Sequence, residues 1–451
     1  MSWQREAESI QAHVPTPLPD DGGDCAVNFS CSTHTKRLQQ PRLDFYSNNL
    51  PSAHTSLSKL SKKRQDHSVA ELDLAMVELF QGNSAAAEKR LRQVRAEWEE
   101  LEQKSITEQT ASYFTDDTAR KYAGEVYEKM LIGVFLTLSS MMQDGVDAEA
   151  YTLQTLTKQQ EIVAQLNSKR EEDPLSDLFG IPPMVPYMRG VVREATFHDN
   201  DDALRMYQLT ASMLPEHPQV LADMQRAQSS NHSQPGHGVV YVVALVGRGP
   251  YKVERSEPVT QAVLLQADQI VSLLGDYSVP PTLAPIKVPV MTCPPKMFDL
   301  IGVEVDGRAA TTTLPITDLE RIATETHDAQ LPTIMARTVA RRIVKKGTIY
   351  AAKSQMKAGD LSSIAMDVAG VAWEASEAAD TRCWGLLPRE IQIARIELPA
   401  GKHQLGLEPI TTGHPAGSKS FCMVDVHNAK NTFVLGFWPD KQPIGQIVVS
   451  R

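Results

Sequence analysis

From Ser68 to Val94 apolar residues fall at helical spacing, with Leu72, Ala75, Met76, Leu79 and Phe80 on one stripe. The run Gln81-Gly82-Asn83-Ser84 then stops that helix and caps another. In the second helix Ala87, Leu91 and Val94 face inward, which leaves Glu88, Arg92, Arg95 and Glu99 outside. The pattern predicts a helical hairpin with a short turn. It returns at Pro186–Pro218, where Tyr187, Gly190, Val191 and Ala195 precede the acidic turn Asp199-Asn200-Asp201-Asp202. Ala203, Tyr207, Ala211 and Leu214 follow, up to Pro215 and Pro218. Tyr122–Met142 and Ala148–Arg170 predict two further helices.

The order Gly, turn, Ala, aromatic, small residue, Pro is that of the tetratricopeptide repeat, with a period of roughly 34 residues. Small residues admit the neighbouring helix and large ones fill the groove between helices. Phe45–Ala53 reads as a degenerate first copy. Stacked hairpins of this kind create a concave surface, so a protein or peptide partner is expected there.

Patterning changes after Ser229–Gly238, a polar, Gly- and Pro-containing stretch that reads as a flexible linker. Val239–Val246 is a β-branched run closed by Gly247 and Gly249. Ile286–Met291, Leu300–Val305, Glu390–Leu398, Gln404–Leu407, Ser420–Val426, Asn431–Phe437 and Ile444–Ser450 predict short, mostly antiparallel strands. Thr317-Asp-Leu-Glu320 has capping-box spacing and opens a helix towards Lys357, kinked or divided at Pro332. With Leu361–Ala379 it would form a helical hairpin inserted between strands. The fold class is therefore α+β: tetratricopeptide-like helical repeats, then a mixed strand-rich domain with an inserted helical hairpin. The expected divisions are a disordered tail (1–35), a helical domain (36–228), a linker (229–237) and the strand-rich domain (238–451).

Composition changes this picture little. The 451 residues, 42% hydrophobic and 22% charged, suit two or three globular domains. A net charge of −10 argues against sequence-independent nucleic-acid binding, which needs clustered cations. The most apolar windows, Met130–Met142 and Gly238–Val246, read as core rather than membrane span. The first residues lack an apolar secretion core. Cys25, Cys31, Cys293, Cys383 and Cys422 form no CxxC pair and read as free thiols.

Candidate chemistry is sparse. The chain has no GxSxG or HExxH motif, and no cofactor or metal is expected. Gly247-Arg-Gly249-Pro250 lacks a third Gly and reads as a turn closing a hairpin. His232 and His237 belong to the linker, Asp116-Asp117 to a helix cap, and Asp199, Asp201 and Asp202 to a repeat turn. One charge cluster stands out: Arg337, Arg341, Arg342, Lys345 and Lys346. Offsets of four and eight align Arg337, Arg341 and Lys345 on one helical face. Such a face is either simply solvated or an anionic contact for lipid head groups, an acidic partner or nucleic acid, the last disfavoured because stacking aromatics are lacking. Trp384 reads as a structural anchor, with Arg382 and Arg395 stacking on it or pairing with acids such as Glu390.

Three segments resemble a family of uncharacterised bacterial proteins, many of them similar to envelope lipoproteins with tetratricopeptide-like helices. They are Ser105–Leu131, Val239–Lys252, and Arg382-Cys-Trp-Gly-Leu-Leu-Pro-Arg389 continuing to Leu398-Pro-Ala-Gly401. The last block is the most specific and holds the signature residues Arg382, Trp384, Pro388, Arg395, Pro399 and Gly401. The resemblance carries over no catalytic role. It implies a cell envelope or periplasmic setting, although Cys25 lacks the apolar residues that precede a lipid-acceptor Cys in such relatives. The chain is thus expected to be a non-enzymatic scaffold that binds a protein or peptide on its helical repeats. The alternatives are a peripheral protein touching a membrane surface through the basic helix (333–346) and, last, an enzyme.

Overall fold

A computed structural model describes residues 33–107, 121–167, 181–272, 285–354 and 378–451. Cys25, Cys31, the Asp116-Asp117 pair and most of the predicted helix Leu361–Ala379 lie outside these residues.

The helical part comprises α1 (Thr33–Tyr46), α2 (Leu50–Leu60), α3 (His67–Phe80), α4 (Ser84–Thr107), α5 (Val126–Met141), α6 (Ala148–Asn167), α7 (Met184–Glu194), α8 (Asn200–Met213) and α9 (Pro218–Gln228). Each helix packs against the next in sequence, so the chain stacks hairpin on hairpin. The small-residue rhythm has the steric role expected of it. A Cβ on Gly190 would lie 2.6 Å from the ring of Tyr207 on α8, and one on Gly133 would lie 1.9 Å from Thr155 Oγ1 on α6. Between α3 and α4, Gly82 takes φ +82° and Asn83 Oδ1 accepts from Ala86 N. Glu88 departs from expectation. It is buried rather than outside, because Tyr151 Oη donates to it at 2.6 Å and Gln143 Nε2 at 2.7 Å.

The strands complete the architecture. A five-stranded sheet has the order β12 (Val448–Val449), β11 (Asn431–Trp438), β1 (His237–Arg248), β7 (Pro388–Pro399), β6 (Leu314–Asp318). A second sheet has the order β10 (Ser420–Val426), β8 (Gly401–Thr411), β4 (Leu300–Val305), β5 (Arg308–Thr312), with β9 (His414–Pro415) beside β8. The central strand β1 explains the unbroken apolar run. Val239, Tyr241, Val243 and Leu245 pack against the helices, while Val240, Val242, Ala244 and Val246 pack against the second sheet. Both faces of β1 are covered, as continuous rather than alternating hydrophobicity requires. Strand β1 runs parallel to β11, where an antiparallel partner was expected; the return from β1 to β11 passes through nearly 200 residues, ample for a crossover.

The layers are therefore helices, sheet, sheet. Helices α3, α5 and α7 are buried on almost every side, because their neighbours cover one flank and β1, β7 and β11 the other. Phe45 and Phe80 both meet Phe437 of β11, at 5.8 and 5.6 Å between centroids. One hydrophobic core is thus shared by the helical array and by β1, β7 and β11, and Cys31–Arg451 packs as one unit. The predicted flexible linker is a fixed turn: Gln234 N donates to Glu397, Gly236 N to Asn428, and His232 Nε2 lies 2.8 Å from Asn431 Oδ1.

Gly247–Pro250 does not close a hairpin. The chain leaves the large sheet there and enters β2 (Tyr251–Glu257), which pairs only with β3 (Ile286–Thr292). Gly249 is required because a Cβ would stand 2.4 Å from Leu387 O. Helices α10 (Gln261–Ser272) and α11 (Leu319–Ser354) enclose a third core with β3, built on Val263, Ala267, Ile286, Val288 and Val339. Helix α11 is the first arm of the predicted insertion, capped by Asp318 rather than Thr317 and continuous through Pro332. Its partner among the described residues is α10.

Candidate functional site

The inner face of the helical array, where a partner peptide was expected, already holds an irregular segment of the same chain that leads into β7. Between Thr381 and Leu387 the backbone is matched by side chains from three helices. Arg42 of α1 donates to Cys383 O at 2.8 Å and Tyr46 Oη to Gly385 O at 3.0 Å. Asp73 of α3 accepts from Leu386 N, and Glu128 of α5 accepts from Trp384 N at 2.7 Å. These buried carboxylates are otherwise engaged, Asp73 by Arg42 Nε at 2.8 Å and Glu128 by Tyr122 Oη at 2.6 Å. The Trp384 ring is fully buried, 5.3 Å from that of Phe135, and its indole nitrogen has no partner.

Burial raises the Glu128 carboxyl above its ordinary 4.5, and Glu125 adds to the rise, against hydrogen bonds from Tyr122 Oη and the amides of Trp384 and Glu125. A carboxyl raised in the fold favours the folded state once protonated. That contribution is complete below the unfolded value and is lost as pH rises through the folded one. The wild type is therefore expected to gain stability relative to Glu128→Gln as pH falls from about 7 to about 5. Urea unfolding of both proteins across this range checks it; a difference that does not change with pH contradicts it.

The signature residues have definite places. Arg382 is bound by Asp380 and lies 5.4 Å over the Tyr122 ring, not on Trp384. Arg395 is half-buried against the turn at His232, to whose carbonyl it donates, and Glu390 pairs with Lys296 instead of an arginine. Pro388 and Pro399 bound β7, and Gly401 opens β8 at φ +143°.

The basic set is divided by the structure. Arg337 is exposed, whereas Arg341 and Arg342 are buried, Arg342 reaching Pro285 O; the side chains of Lys345 and Lys346 lie outside the described residues. Among the described residues Arg337, Arg341 and Arg342 do not form a single solvated stripe, because α11 turns part of this face towards β3. Arg337 and Arg341 instead join Lys252 of β2 and Lys287 of β3 around a cleft of about 200 Å³. Tyr122, Glu125 and Asp380 close it on the side of the helical array. Lys252 is 5% exposed and bonded to Glu125, and Lys287 lies 3.4 Å from Glu254. Burial works against the charge on Lys252, yet Glu125 and Asp380 raise its pKa overall, so the ammonium is held charged. Burial likewise works against Asp380, but Arg382 and then Lys252 draw its carboxyl below the ordinary range.

The sequence pattern puts Lys287 in the strand Ile286–Met291 and gives neither Lys252 nor Lys287 a role. The stretch Tyr251-Lys-Val-Glu-Arg255 is mostly polar and charged around one valine, which gives little strand periodicity. Without β2 recognised as a strand, its face could not be assigned. Among the described residues, no helix is long and apolar enough to cross a membrane, and no three His, Cys, Asp or Glu gather as a metal site would need. No family model, no curated protein and no solved structure matches this chain.

Proposed function

We propose that this protein is a non-enzymatic interaction protein of a bacterial cell-envelope complex, which recognises an acidic protein or peptide partner at the mouth of the basic cleft. The carrying observation is that β2, β3 and α11 bring Lys252, Lys287 and Arg337 to one cleft, while the chain's own sheet occupies the inner face of the repeats. The resemblance of the Arg382–Gly401 block supports the envelope setting. The helical array then acts as a frame: Glu125 at the start of α5 fixes Lys252, and the array orients the cleft outward. Complementary charge at such a mouth governs partner choice and association rate more than raw affinity. The membrane-surface reading is less favoured, since burial of Arg341 and Arg342 withdraws them from any lipid-facing stripe.

The test is affinity purification of tagged protein from its native cell, with envelope fractionation, beside the double variant Lys287→Glu/Arg337→Glu. The wild type is expected to capture an acidic partner from the envelope fraction that the variant loses, with unfolding unchanged. Retention of the same partners by the variant contradicts the reading.

A further inference from the structure

The geometry points to the interior of the same cleft as a binding site for a small anion bearing phosphate or carboxylate oxygens, seated on the Lys252 ammonium. This deepens the reading above and rests on the cleft being a recognition site, though not on which partner meets its mouth.

The first observation is the state of Lys252. An ammonium carries three N–H donors, and buried charges are normally paired and hydrogen-bonded. Among the described residues Lys252 makes a single side-chain hydrogen bond, to Glu125 Oε1, although it is only 5% exposed. Two donors remain in a group that lines an open space. The side chain is fixed: Glu125 precedes α5, whose Glu128 is locked to Trp384 N. An anion entering the cleft would therefore meet a donor already positioned and already desolvated.

The second observation is the balance of charge around it. Asp380 is engaged by Arg382 through three hydrogen bonds, one from its backbone N–H and two from its guanidinium, and Glu254 spends Oε2 on Ala379 N while its other oxygen lies near Lys287. The acids of the cleft are therefore committed. Arg337 has no ion pair among the described residues, although it stands on the same wall. Its guanidinium offers a planar fork that suits phosphate or carboxylate oxygens. Arg341 lies one turn further along α11.

The third is size. A cavity of about 200 Å³ has room for several waters or for a small anion. A phosphate or carboxylate head with a few carbons fits that space, and Ile334 and Pro289 offer the carbons an apolar wall. Lys252 lines this cleft, within reach of a protruding head group or a free small anion.

Calorimetric titration of the full chain with sodium phosphate and with citrate, each against chloride of matched ionic strength, tests the proposal. Saturable binding of at least one anion is expected, weakened about tenfold or more by Arg337→Gln, whose exposed side chain leaves folding intact. Lys252→Met should abolish binding; if it fails to fold, Arg337→Gln and Lys287→Gln still decide the matter. Vesicles of phosphatidylcholine with phosphatidic acid separate the sources. Binding to them that phosphate competes away supports the site with a lipid head group as occupant. Failure of phosphate, citrate and vesicles to bind, or equal binding by Arg337→Gln, overturns it. Anion binding that depends on Arg337, with partners still captured by the charge-reversed double variant, would reject the proposed function and leave this inference standing.

Discussion

Trp384→Ala is expected to destabilise the fold by about 3–5 kcal/mol, the usual loss when a large aromatic leaves a packed core. The ring is fully buried and pinned between Phe135 of α5 and the large sheet's side of the core. Its removal opens a void exactly where helices and sheet meet, and neither layer can collapse without parting from the other. The indole nitrogen has no partner, so the loss is one of packing and not of a hydrogen bond. Denaturant unfolding measures it. An unchanged midpoint would show that the segment Thr381–Leu387 does not anchor the layers.

Gly385→Ala is expected to cost a similar amount, about 3–5 kcal/mol, by another route. A Cβ at this position would stand 2.0 Å from the Arg42 guanidinium carbon. That guanidinium cannot yield freely, because Asp73 holds Nε at 2.8 Å and Cys383 O holds another nitrogen. Moving it strands Asp73, a fully buried carboxylate, and a buried charge without its partner is among the most destabilising defects. A double-mutant cycle with Arg42→Met separates the causes: the cost of the added methyl group should fall sharply once the long charged side chain is gone. Equal cost in both backgrounds would place the clash elsewhere.

The two substitutions sit next to each other in sequence, yet neither effect could be foreseen from the residues around them. Trp384 buries its large apolar body, as expected, whereas the partner expected for its N–H is not found among the described residues. What it anchors was hidden, since Asp73 and Leu386 are separated by 313 positions. Local signals were read well. Gly190 and Tyr207 nest as the small-and-large rhythm requires, Gln81–Ser84 turns the chain, and Val239–Val246 is a strand covered on both faces. Glu88 was misplaced because helical spacing alone treats a carboxylate as outward-facing, whereas Tyr151 and Gln143 arrive from α6 and the end of α5 to satisfy it. The cleft was half visible. Arg337 and Arg341 share a face through their offset of four, but Lys252 and Lys287 join them only through the pairing of β2 with β3. That pairing was missed because β2 alternates polar and charged residues around one valine, leaving little apolar periodicity to find.

These particulars share one physical premise: the stacked hairpins are shaped around the sheet, so the inner row α3, α5, α7 has no solvent-facing side to keep it soluble alone. Expression of residues 36–228 by themselves tests that premise most directly, with near-ultraviolet circular dichroism and urea unfolding as the readout. The predicted result is a fragment without a cooperative transition, exposing the apolar surface that β1, β7 and β11 cover in the whole chain. A monomeric fragment that unfolds cooperatively would contradict it, and would reopen the inner face of the repeats as a docking groove.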